Sequence, residues 1–143
     1  MGEQMEFHFG LSPAERCAYD CCYWIKGHRE AFRKLMAYFH SQVDSGNPRT
    51  TRDDAMAWCR ENAVRMSVLE ELVRDHNQYA AVTRYAVMLR PRLARTVRFR
   101  KSMLDSVDMA SIWHEIVDAG TFFPAKSRSE AEHLVEINDV SAA

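Results

Sequence analysis

Between Ala81 and Lys101 the chain carries seven basic residues, Arg84, Arg90, Arg92, Arg95, Arg98, Arg100 and Lys101, and no acidic residue appears before Asp105. Guanidinium and ammonium groups of one sign at this density suit an anionic partner, a nucleic acid first of all. If Asn77, read as a capping residue, opens a helix reaching Arg90, then Ala81, Tyr85 and Leu89 share its inward face. Tyr79, Ala80, Thr83, Arg84 and Arg90 then lie opposite, short and polar near the start and cationic later. A DNA recognition helix needs such a face to enter the major groove. Asn77, Gln78 and Arg84 are the candidates for base contact. Arg92, Arg95, Arg98, Arg100 and Lys101 would follow the phosphates, with Val97 and Phe99 anchoring a wing-like segment, and Arg90 belongs to the same nucleic-acid-binding set. The helix from Thr51 would support this one, although the linker from Ala63 to His76 exceeds the ~3–4 residues of a standard helix-turn-helix turn.

Other residues of chemical interest point less far. Cys17, Cys21, Cys22 and His28 invite a metal reading, since zinc accepts a Cys pair with a His. No second pair stands at ligand spacing and Cys59 is alone, so burial as small apolar side chains is favoured. The six histidines form no two-His motif on one helical turn, and His114 beside Glu115 lacks metalloprotease spacing. No nucleophile elbow, phosphate loop or dinucleotide fingerprint is present. A non-enzymatic protein with no cofactor is expected. The three tryptophans and eight methionines fall mostly on inward positions and read as core.

The elements that must position the basic stretch follow from composition and periodicity. At 143 residues the chain suits one domain with its own core. Five glycines and four prolines are few for a β-sandwich or barrel, which turns every ~8–12 residues, so helices are expected. Residues 1–11 read as a flexible arm, 12–138 as one mainly α domain of five to six helices with room for one small β element, and 139–143 as a frayed end. Ser12-Pro13-Ala14-Glu15 starts a helix, and an apolar stripe runs on to Val43, with Gly27 a candidate break. Its first half is apolar almost all round, so the segment Cys17 to Phe39 is a candidate for the core or a homodimer interface. Thr51 caps the next helix with Asp54 three residues on. Between Ala63 and His76, Ser67 with Glu70 suggests another cap, or Val64 to Val68 a brief strand. Pro91 stops the helix from Asn77. Thr96 to Arg100 alternates like an exposed strand, while Leu93, Val97 and Leu104 suit a helix. Further helices are expected over Met109 to Ala119, with Gly120 at its end, and from Ser129 to about Asn138.

The net charge of −1 conceals a dipole: eight acidic residues follow from Asp105 onward, against Lys126 and Arg128. The basic and acidic segments could instead pair within the fold, since surface charges often only solvate. No run approaches the ~20 apolar residues of a membrane span, and the N-terminus lacks a signal-peptide pattern, so a cytoplasmic location with reduced thiols is expected.

Asn77, Arg84, Leu89, Pro91, Leu93, Phe99, Arg100, Ser102 and Asp105 together resemble a stretch of uncharacterised small helix-turn-helix-like proteins of actinobacterial phages and mobile elements. The resemblance covers about thirty residues and implies a helix-turn-helix-like role without an established activity. Two readings of function follow. One is nucleic-acid binding, with duplex DNA as candidate partner and a small regulator as candidate role. The other is a helical interaction module, such as a phage-encoded inhibitor of a host or defence protein. It would work through Asp105, Asp108, Glu115, Asp118, Glu130, Glu132, Glu136 and Asp139, whose carboxylates could mimic nucleic acid.

Overall fold

The computed structural model describes residues 10–117, and the expected N-terminal arm up to residue 9, the helix expected from Ser129 and everything from Asp118 onward lie outside them. Within that span the order is α1 (Pro13–Gly27), α2 (Arg29–Asp44), α3 (Arg52–Glu61), α4 (Met66–Arg74), α5 (His76–Leu89), a 3-10 turn (Pro91–Arg95), a second 3-10 turn (Met103–Ser106) and α6 (Met109–Ile116). The fold is mainly α in one domain, and among the described residues there is no strand to stand for the small β element.

Local chemistry explains most boundaries. Ser12 Oγ accepts from the Glu15 amide at 3.1 Å while the Glu15 carboxylate accepts from the Ser12 amide at 3.0 Å, a full capping box with Pro13 at the first helical position. The long apolar stripe breaks at Gly27, and His28 ends α1 and begins α2 in a non-helical conformation. Its ring Nδ1–H donates to the Trp24 carbonyl at 2.9 Å. Thr51 caps α3 by accepting from the Asp54 amide, and Asn62 ends it. Ala63 then sits at φ 68°, a left-handed turn that sends the chain directly into α4 and leaves no room for a strand over Val64 to Val68. Ser67 is inside α4 rather than capping it, because the helix starts earlier than the Ser67–Glu70 spacing suggests. Thr96 to Arg100 has no neighbouring strand to supply a ladder, so its alternation produces an irregular segment.

The core gathers around α5, which packs on α1, α4, α6 and the first 3-10 turn. Ala81, Val82, Tyr85 and Ala86 are fully buried there. The Tyr85 hydroxyl donates to the Ala18 carbonyl of α1 at 2.8 Å, and its ring lies 5.7 Å from that of Trp113, which in turn lies 6.2 Å from Phe32. Burial of each large apolar side chain of this kind contributes about 1.5–3 kcal/mol. Across the periphery, Tyr19 of α1 donates to Glu115 of α6 at 2.7 Å, and Trp24 donates to the Val68 carbonyl of α4 at 2.9 Å.

Two polar ties hold the segment after α5. Thr50, ahead of α3, donates its amide to the Thr96 carbonyl at 2.8 Å, and the two hydroxyls meet at 2.6 Å in the interior. Arg92 reaches α2, donating to Asp44 at 2.7 Å and to His40 Nδ1 at 3.4 Å. Burial of His40, followed by the Arg92 and Arg90 charges, pushes its pKa down to about 4, with Asp44 opposing.

Thr96→Val should lower the unfolding free energy by about 1–3 kcal/mol in denaturant titration, since the Thr50 hydroxyl is left buried without its partner. Adding Thr50→Val should recover most of that loss; strictly additive losses would contradict the pairing. For His40 the unfolded chain takes up a proton near pH 6.5 that the folded protein refuses until about pH 4. The stabilisation is therefore fully present above about 6.5 and is lost as pH falls through that window. His40→Gln should flatten this dependence, and an unchanged pH profile would exclude His40 as its source.

Candidate nucleic-acid interface

The seven basic residues separate into two groups. Arg84, Arg90 and Arg92 are partly buried. Arg84 has a side chain only 12% exposed; it pairs with Asp105 at 2.9 Å, donates to the Arg100 carbonyl at 3.1 Å and lies over the Phe99 ring, 4.5 Å from its centroid. Arg90 ends α5 and donates to the Leu89 carbonyl, while Arg92 makes the bridge to Asp44 described above. Arg95, Arg98, Arg100 and Lys101 are exposed. Arg98 also donates through Nε to the Pro48 carbonyl at 3.0 Å, drawing the chain ahead of α3 toward the segment after the first 3-10 turn.

That approach creates a cleft of about 660 Å³. One wall is Arg49 to Arg52, the other Val97 to Met103, and the floor is the start of α5 through Asn77, Tyr79, Ala80 and Thr83. Arg49, Arg52, His76, Arg98, Arg100 and Lys101 surround it, and no Asp or Glu is among its lining residues. Arg95 is not part of the lining. Burial pushes the Tyr79 hydroxyl on the floor well above the ordinary phenol range, so that residue stays neutral. Arg49, Arg52 and His76 were not among the residues that the sequence singled out. They lie outside the dense basic run: His76 opens α5, and the Thr50–Thr96 and Arg98–Pro48 ties hold the Arg49–Arg52 segment beside it.

The face of α5 expected to enter a DNA groove exists but is concave. Tyr79, Ala80, Thr83 and Arg84 line the cleft at its base, and beyond His76 no residue of α5 is fully exposed. A helix enclosed in this way cannot lie in a major groove. Gln78 is 8% exposed with its amide facing Cys17 Sγ at 3.7 Å, so it belongs to the core rather than to base readout. Asn77 lines the cleft but does not cap α5; Asp75 does, accepting from the Asn77 amide at 2.9 Å. Of the two wing anchors, Val97 is buried as expected, whereas Phe99 is 43% exposed.

The acidic candidates have other partners. Within the described residues Asp105 pairs with Arg84, Asp108 caps α6 through the Ser111 amide, and Glu115 accepts from Tyr19. The remaining ones, Asp118, Glu130, Glu132, Glu136 and Asp139, lie outside the described residues. The aromatic and cysteine stripe offered for a homodimer is consumed within the chain: Cys17, Cys21, Cys22, Trp24, Phe32 and Phe39 are all buried in the core of a single copy. None of the four thiols is in a disulfide, and burial pushes those of Cys17 and Cys59 up to about 11. No helix among the described residues is long and apolar enough to cross a membrane. Comparison with family models, characterised proteins and solved structures gives no match to this chain.

Proposed function

We propose that this is a non-enzymatic nucleic-acid-binding protein that takes a sugar–phosphate backbone into the cleft between Arg49–Arg52 and Val97–Met103. One observation carries the reading: cations from separate segments converge on a cleft whose lining contains no acidic side chain. Like charges held close repel one another, and a cleft with low-dielectric walls concentrates their field. An anion entering between them removes that repulsion and releases its own counterions. The cations are spread along both walls, which suits successive phosphates better than one small anion. Backbone contacts of this kind position a strand without reading its sequence.

The arginines divide accordingly into those on the cleft and those off it. In fluorescence anisotropy with a labelled oligonucleotide, binding should weaken steeply with salt. The combined Arg49→Ala, Arg100→Ala and Lys101→Ala variant should flatten the log–log salt slope by about 2–2.7, at roughly 0.7–0.9 for each phosphate no longer neutralised. Arg95→Ala should leave the slope unchanged, because that side chain is off the cleft. No binding at low salt, or an Arg95→Ala effect equal to that of the triple variant, would refute the assignment.

A further inference from the structure

Phe99 occupies an unusual position for a large apolar side chain. It is 43% exposed, as is Met103, and both line the cationic cleft. Only two other large apolar side chains among the described residues, Met66 and Val73, are comparably exposed. Apolar surface left open between cations is not what phosphate binding requires.

The ring is also held in place. The Arg84 guanidinium covers one of its faces, 4.5 Å from the centroid, and is itself fixed by Asp105 and the Arg100 carbonyl. Phe99 therefore cannot fold inward without displacing a half-enclosed ion pair. The residue remains 43% exposed despite that cover, and it lines the same cleft as Arg98, Arg100 and Lys101. The floor of the cleft includes two short side chains, Ala80 and Thr83, beside Asn77 and Tyr79.

A flat apolar platform flanked by guanidinium groups fits a nucleobase attached to a phosphate backbone. In a duplex the base faces are already occupied by their neighbours, so only an unpaired base can use the platform. Building on the nucleic-acid reading above, we infer that Phe99 stacks an unpaired base and that the cleft takes single-stranded nucleic acid in preference to duplex. Arg84 acts as a positioning residue, holding the ring from behind. Because stacking is nearly indifferent to base identity, the preference is for strand state and not for sequence.

The test compares a short single strand carrying 2-aminopurine with the same strand annealed to its complement, using the full chain at low salt. The single strand should bind about tenfold or more tighter, and its 2-aminopurine fluorescence should be quenched on binding. Phe99→Leu keeps an apolar group against Arg84 but removes the π face; it should lose the quenching and most of the preference with an unchanged thermal melt. Phe99→Trp should restore both. If Phe99→Leu binds the single strand like the wild type, or the duplex binds equally well, stacking is overturned while salt-dependent binding still upholds the cationic cleft. If neither strand form binds, both readings fall together.

Discussion

A helix covered on nearly every side can offer a partner only the strip its neighbours leave bare, and α5 is under that constraint. Its fourteen residues include one permanent charge, Arg84, and α1, α4, α6 and the first 3-10 turn close around it. The Tyr85 hydroxyl bonded to the Ala18 carbonyl fixes its rotation against α1. With that rotation set, Tyr79, Ala80 and Thr83 become the floor of the cleft. The cleft's width then depends on two loops, and these are joined to each other by Thr50–Thr96 and Arg98–Pro48 rather than to the floor alone.

Arg84 shows how a basic run can do two different jobs. With its side chain only 12% exposed, its charge would be costly alone; Asp105 and the Arg100 carbonyl each take a hydrogen bond from one terminal nitrogen, while Nε is buried without one. In exchange the pair draws the irregular chain between Val97 and Asp105 back over α5, where Ser102 and Asp105 form a capping box for the second 3-10 turn. Arg84, Phe99, Arg100, Ser102 and Asp105 belong to this one unit. Their spacing is thus accounted for by local architecture before any partner is considered.

What could be read from the sequence was what depends on near neighbours. Ser12-Pro13-Glu15, Thr51 with Asp54, and Pro91 after Leu89 all mark helix ends where they occur. The apolar stripe of α1 and α2 identified core residues from Cys17 to Phe39. At the start of α5, two competing caps stood within three residues, and Asp75 rather than Asn77 took the role because its carboxylate reaches the Asn77 amide. The burial of α5 had a signal, one permanent charge in fourteen residues. The density of arginines overshadowed it. No local rule could show that Arg84 and Arg92 find carboxylates 21 and 48 residues away, or that Arg49 and Arg52 join the cleft, since those depend on tertiary closure.

The four buried cysteines have a practical corollary. Every cysteine of the chain is enclosed, with Cys21 and Cys22 wholly inaccessible to solvent. A thiol reacts as thiolate and only when a reagent can reach it, so alkylation of the native protein has to wait for the core to open. The rate of that labelling becomes a built-in gauge of how often the helices part. By the same token, a cysteine introduced on the exposed surface would react far ahead of the native four, giving a site for a dye or a crosslinker without removing any of them.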